Sequence, residues 1–191
     1  MKMNELYPIF LKVHQLNVLI VGGGFVGYEK LFFLLKSSPK SQVTIVAKEF
    51  SLSLLELVKK RKNVTLIQDA YHSDYLKNKQ LIIGATNFRE INHQIYHDAK
   101  KQNILVNIAD TPDYCDFYLG GIVTKGNVKI AISTNGKSPT MAKRLRQFFE
   151  KVLPEDINEL TENLNHYRKT LRNDFEYKIQ TLNKITKQLM D

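Results

Sequence analysis

The residues best suited to chemistry follow the first strongly apolar run. Val18-Leu19-Ile20-Val21 leads at once into Gly22-Gly23-Gly24-Phe25-Val26-Gly27, which puts a G-x-G-x-x-G spacing directly after a buried-strand pattern and directly before a helix pattern. Each glycine has a physical task in that setting. Gly22 permits a tight turn, Gly24 lets the backbone approach a pyrophosphate, and Gly27 allows close helix–strand packing, with the anion held at the positive end of the helix. This order of strand, glycines and helix favours dinucleotide binding over a merely structural turn. About twenty residues on, where the adenosine ribose would lie, the second apolar run ends in Lys48-Glu49. Glu49 suits a ribose hydroxyl and Lys48 a 2′-phosphate, so NAD is expected ahead of NADP.

Further polar residues fall at the ends of later apolar runs. Gly84-Ala85-Thr86-Asn87 stands where doubly wound sheets bind ligands, with Thr86 as a cofactor contact, or else forms an Asn-containing turn before the next helix. Asn107-Ile108-Ala109-Asp110-Thr111-Pro112 puts a carboxylate at the edge of the cofactor cleft, where Asp110 is either a general base or substrate-orienting group, or the side chain of an Asx-type turn. Thr134-Asn135-Gly136-Lys137-Ser138-Pro139 offers amides, a lysine and a helix start, with Arg144 and Arg146 beyond, all features that suit an anion. Its Gly-Lys-Ser is not a P-loop, because Ala131 stands where the first glycine is required. His93 and His97 have metal-ligand spacing, but no third ligand sits in a recognisable motif, so they read as part of a surface helix and no metal site is expected. His14, His72, His166 and the single Cys115 receive no role.

The elements that must position these residues show in the hydrophobic pattern. Strands are expected at Asn17–Val21, Gln42–Ala47, Val64–Ile67, Leu81–Gly84 and Ile104–Ile108, and amphipathic helices at Val26–Lys36, Ser51–Arg61 and Glu90–Gln102. This alternation is that of an α/β, Rossmann-like doubly wound parallel sheet. After Asp110 the rhythm changes. Phe117–Thr124 and Val128–Thr134 flank Lys125-Gly126-Asn127 as a β-hairpin, and Ser138-Pro139 opens a helix over Thr140–Lys151 that Pro154 stops. From Ile157 a stripe of apolar residues keeps helical spacing through Leu189, which needs either the chain's own sheet or a second copy to cover it. The expected organisation is a nucleotide-binding domain over 1–113, a dimerisation and substrate-site segment over 114–150, and a helical C-terminal domain over 151–191.

Composition narrows the class. The 191 residues are 43% hydrophobic and 25% charged, with a net charge of +9, which excludes disordered and collagen-like chains. No apolar run approaches the ~18 residues of a membrane span, and the N-terminus has no secretory pattern. One cysteine forms no internal disulfide, in keeping with a reducing compartment, so a cytoplasmic location and no membrane partner are expected. The cationic charge is spread over the chain rather than gathered in a tail, and a nucleic-acid partner is not expected.

Taken with Val43-Thr44-Ile45-Val46-Ala47, Cys115-Asp116-Phe117 and Ile130-Ala131-Ile132-Ser133, these motifs in this order resemble the precorrin-2 dehydrogenase / sirohydrochlorin ferrochelatase family, the N-terminal module of siroheme synthase, over nearly the whole chain. The resemblance implies NAD-dependent oxidation of precorrin-2 to sirohydrochlorin by a homodimer. It implies an essential aspartate at Asp110 and NAD contacts at Phe25, Val26, Lys48 and Glu49, which join Gly22, Gly23, Gly24, Gly27 and Thr86 as the expected cofactor-binding residues. It also implies that Thr134, which aligns with a serine phosphorylated in some fused relatives, lies near the substrate, and Asn107, Lys137, Ser138, Arg144 and Arg146 are grouped with it as substrate-binding. A tetrapyrrole with many carboxylates suits a cationic protein. The chain departs from the family at Leu119-Gly120-Gly121, where a proline is usual, and at Gly27, where an alanine is usual. Two alternatives remain: the same enzyme with added ferrochelatase activity, and an NAD(H)-sensing module without catalysis, which leaves Asp110 unexplained.

Overall fold

A computed structural model describes residues 4–172 and 174–187. The chain forms two compact units that divide between Leu119 and Gly120. In the first, β1 (Asn17–Val21), β2 (Gln42–Ala47), β3 (Val64–Gln68), β4 (Leu81–Gly84) and β5 (Leu105–Ile108) make one sheet in the order β3-β2-β1-β4-β5. All four pairings are parallel. The helices are α1 (Phe25–Ser37), α2 (Leu52–Val58) and α3 (Arg89–Lys101).

The continuous apolar runs of β1 and β4 follow from burial on both faces. Val18 and Ile20 point to one side, where they meet Leu31 and Leu35 of α1 and Leu54 of α2. Leu19 and Val21 point to the other, packed with Ile95 and Ala99 of α3 and with Leu76. Register keeps these faces consistent, since Ile20 pairs with Ile45 on one neighbour and with Ile83 on the other. The crossover from β3 to β4 carries no α-helix; a single 3-10 turn, Ser73–Leu76, covers the sheet there with Leu76 and Tyr71.

β5 lies at the sheet edge, and the chain returns to close that edge. Asn107 and Cys115 form an antiparallel bridge, and the Asp116 amide donates to the Val106 carbonyl at 2.8 Å. Residues 115–117 therefore belong to the first unit, and the expected strand from Phe117 begins only at Gly121. In the second unit β6 (Gly121–Lys125) and β7 (Val128–Ile132) form the hairpin, followed by α4 (Pro139–Val152), α5 (Ile157–Thr170) and α6 (Phe175–Thr186). The hairpin tip is bound to α5 and to the end of α4. The Asn127 amide donates to Asn158 Oδ1 at 2.7 Å, and Lys125 Nζ donates to the Leu153 carbonyl at 2.6 Å. Ser138 caps α4 by accepting from the Met141 amide, with Pro139 at the first helical position. The apolar stripe beyond Ile157 is broken into two helices, because Asp174 caps a new start by accepting from the Tyr177 amide. Leu189 lies outside the described residues. No helix among the described residues is long and apolar enough to cross a membrane.

Ile20 is fully buried at the centre of this framework. Ile20→Ala is expected to lower the unfolding free energy by about 2–5 kcal/mol, measured by urea denaturation.

Candidate functional site

The glycine turn forms where β1 ends between β2 and β4. Gly22 has φ +125°, and a Cβ there would overlap the Ala85 carbonyl. Its amide donates to the Val46 carbonyl at 2.9 Å, which ties the turn to β2. The Gly23 carbonyl accepts from the Ser51 amide at 2.8 Å, so the β2–α2 loop is fastened to the same turn. Gly27 presses on the Gly22 carbonyl, where a methyl group would overlap it. The close approach expected of Gly27 is thus between the helix and the turn itself. Gly24 differs from the other three. It is exposed, and a Cβ there would meet nothing within 4 Å.

Gly24 is also the N-cap of α1 and supplies no capping side chain, so the first-turn amides are left for another acceptor. An exposed glycine before an uncapped helix start, on the carboxyl side of β1 and next to β4, fits the pyrophosphate of a dinucleotide. Phe25 is 73% exposed at the first helical position. Val26 is half-buried, and Lys48 and Glu49 both face solvent. The Lys48 carbonyl accepts from Gln68 Nε2 at 3.2 Å.

Thr86 is engaged within its own turn. Its Oγ1 is 2.7 Å from Asn92 Oδ1 and accepts from the Phe88 amide at 3.2 Å, while Asn92 Nδ2 donates to the Thr86 carbonyl at 3.0 Å. The start of α3 is organised by this Thr86–Asn92 pair, with Phe88 as N-cap, rather than by Asn87.

Asp110 follows β5 on the same edge of the sheet. It is exposed and held at φ +56°, a left-handed conformation that aspartate tolerates better than most residues. Among the described residues nothing hydrogen-bonds or ion-pairs with its carboxylate, so it does not act as an Asx-type cap. The loop around it is tightly bracketed. Asn107, 6% exposed, donates to the Phe117 carbonyl at 2.8 Å and to Cys115 Sγ at 3.3 Å. The Cys115 thiol lies 3.2 Å from the Ile108 carbonyl and 3.3 Å from that of Thr111, and burial pushes its pKa up. Asp116 accepts from the Val106 amide at 3.1 Å and from Lys100 Nζ at 2.7 Å, a hydrogen bond that raises the lysine's pKa. The bracketing by Cys115, Asp116 and Lys100 was missed by sequence reasoning; Cys115-Asp116-Phe117 was its only trace.

In the second unit, Thr134 and Ser138 are used by the loop itself: Thr134 Oγ1 donates to the Ser138 carbonyl at 3.0 Å and accepts from the Ser138 amide at 3.2 Å. Lys137 is exposed beside Asn135 and Gly136, both at positive φ. Arg146 forms an ion pair with Glu150 at 2.5 Å, and Arg144 reaches Gln147 at 3.2 Å. Lys137, Lys143 and Arg144 are all exposed and carry positive charge in this region.

A family model described as "Putative NAD(P)-binding" matches residues 9–121, which takes in the whole parallel sheet. The chain belongs to that family. A second model, sirohaem biosynthesis protein central, matches residues 125–151. The chain is 36% identical over 170 residues to a siroheme synthase of Pseudoalteromonas translucida, covering 89% of this chain and 35% of the relative. A siroheme synthase of Psychrobacter arcticus is 36% identical over 176 residues, covering 92% of this chain and 31% of the relative. The chain thus spans about a third of the length of these curated relatives. A solved structure titled "SirC, precorrin-2 dehydrogenase" superposes with a TM-score of 0.73 at 24% identity, covering 94% of this chain and 89% of that one. It has the same fold.

The contrast between two glycines is testable. Gly24→Asp is expected to leave the melting midpoint near that of the parent and to weaken dinucleotide binding at least tenfold. Gly27→Val is expected to lower the melting midpoint itself, because its side chain has no room. Thermal denaturation and calorimetric titration with NAD⁺ measure both.

Proposed function

We propose that this chain is an NAD-dependent dehydrogenase that oxidises precorrin-2 to sirohydrochlorin in siroheme synthesis, with Asp110 as its base. The observation that carries this reading is the exposed Asp110 carboxylate, without a partner among the described residues and held in a bracketed loop on the edge of the sheet that carries the open Gly24. The siroheme synthases that the chain resembles, and the solved precorrin-2 dehydrogenase whose fold it shares, support the substrate. Glu49, exposed at the end of β2, supports NAD over NADP as the acceptor of its ribose hydroxyl.

The cofactor supplies a hydride acceptor, and the chain supplies the rest. The uncapped start of α1 and the Gly24 backbone would hold the pyrophosphate, with the exposed Phe25 beside them. Asp110 would take the proton released on oxidation of the tetrapyrrole, while bound NAD⁺ would supply the acceptor for the hydride, so that the loss of one hydride and one proton is accounted for. Keeping that carboxylate free of internal partners keeps it available as a base. Lys137 and Arg144 suit a substrate with many carboxylates. The exposed apolar residues Phe148, Val152 and Phe175 support a homodimer. Cys115, a free thiol, suits a cytoplasmic protein.

The test is an anaerobic assay with precorrin-2, recording spectra with NAD⁺, with NADP⁺, with neither, and with NAD⁺ followed by Fe²⁺ or Co²⁺. The sirohydrochlorin spectrum is expected only with a dinucleotide, and faster with NAD⁺. Metal insertion above the protein-free rate would add a chelatase activity. NAD⁺ binding by folded protein without oxidation would instead make the chain a sensing module. Asp110→Asn is expected to lower kcat by roughly 100-fold or more while NAD⁺ affinity stays within twofold; full activity in that variant would remove Asp110 from the mechanism.

A further inference from the structure

His93 and His97 stand one turn apart on α3, outside both the glycine turn and the Asp110 bracket, and both are exposed. Their Nε2 atoms lie 2.8 Å apart, with ring centroids at 4.1 Å and planes at 62°. In water, a hydrogen bond between two exposed imidazoles gains little, since each ring exchanges a water partner for the other and loses side-chain freedom. A cation between two nitrogens gains much more, and histidines at i and i+4 on one helix face are a known way to present them.

The separation also selects the kind of ion. With metal–nitrogen bonds of about 2.0–2.1 Å, nitrogens 2.8 Å apart subtend about 85–90° at the metal, whereas a tetrahedral ion needs them about 3.3–3.4 Å apart. The pair as it stands therefore fits adjacent positions of a square-planar, tetragonal or octahedral complex, the preference of copper(II) and nickel(II). The rings are also supported from the side. Tyr96 lies 5.2 Å from His97, Tyr114 lies 5.6 Å from His93, and the two tyrosines stack on each other at 4.6 Å and 17°. These contacts restrict the imidazole rotamers before any ion arrives, which lowers the entropy lost on binding.

We propose that His93 and His97 form a two-histidine binding site for a divalent first-row transition ion of square-planar or tetragonal preference, supported by the Tyr96–Tyr114 stack. Among the described residues no group of three or more His, Cys, Asp or Glu side chains could hold a metal. The remaining coordination positions therefore go to water or to an external ligand, and the ion exchanges readily. The site does not depend on the dinucleotide reading.

The test uses the untagged full chain, titrated calorimetrically with Ni²⁺, and Cu²⁺ spin resonance at one equivalent. One Ni²⁺ per chain is expected to bind. His93→Gln and His97→Gln should each weaken binding at least tenfold, while His72→Gln and His166→Gln leave it unchanged. The Cu²⁺ spectrum should be axial with splitting from two imidazole nitrogens, reduced to at most one in His97→Gln. Because both histidines are exposed, these variants should keep the parent melting midpoint and NAD⁺ affinity. Absence of saturable Ni²⁺ binding, or binding undiminished in His93→Gln and His97→Gln, would overturn the proposal and leave the contact as a hydrogen bond between two exposed rings.

Discussion

The first unit depends on how closely backbone can approach backbone at Gly22. The Gly22 amide reaches β2 through the Val46 carbonyl, the Ala85 carbonyl fills the space a side chain would need, and its own carbonyl meets Gly27 in the first turn of α1. Four elements thus converge on one residue that has no side chain. They can do so because parallel register brings Val21 level with both Val46 and Gly84, so that β1, β2 and β4 end in line. The open ground at Gly24 is a result of that convergence: with the turn drawn in against β4 and α1, the next residue is left facing outward at an uncapped helix start.

Much of this was legible in the chain. The apolar runs marked all five strands of the parallel sheet, because strands buried on both faces must be apolar almost throughout. The glycine spacing showed the turn, and Ser138-Pro139 showed the start of α4, because these signals are local. What escaped were features set by partners distant in sequence. Nothing near Phe117 says that its carbonyl will be claimed by Asn107, so the residues after Cys115 read as the start of a hairpin strand when they close the edge of β5 instead. The stripe beyond Ile157 kept its period across the break, and only the cap made by Asp174 shows where a new helix begins. Asn107 was grouped with the substrate contacts, and Thr86 with those of the cofactor; the structure shows what else both side chains hold.

The left-handed backbone at Asp110 has a cost, on the order of 1–3 kcal/mol for a non-glycine residue in a sparsely populated region. It persists because the surrounding loop is over-determined by hydrogen bonds that do not involve Asp110. Asn107, Cys115 and Asp116 fix the chain on both sides of it, and Lys100 fixes Asp116 in turn. This division of labour leaves the carboxylate free while its backbone is held. It also explains why a buried asparagine and a half-buried thiol sit within a few residues of the candidate base.

Helix α3 works along its whole length. Asn92 near its start holds the Thr86 turn, Ile95 and Ala99 in the middle cover the sheet, and Lys100 near its end grips the loop beyond β5. Because one residue corresponds to about 100° of helix rotation, a single insertion or deletion between Asn92 and Lys100 would put these contacts out of phase with one another. The spacing between Asn92 and Lys100 is therefore a ruler for this end of the sheet, and an added residue is accommodated more cheaply in the surface connections between strands.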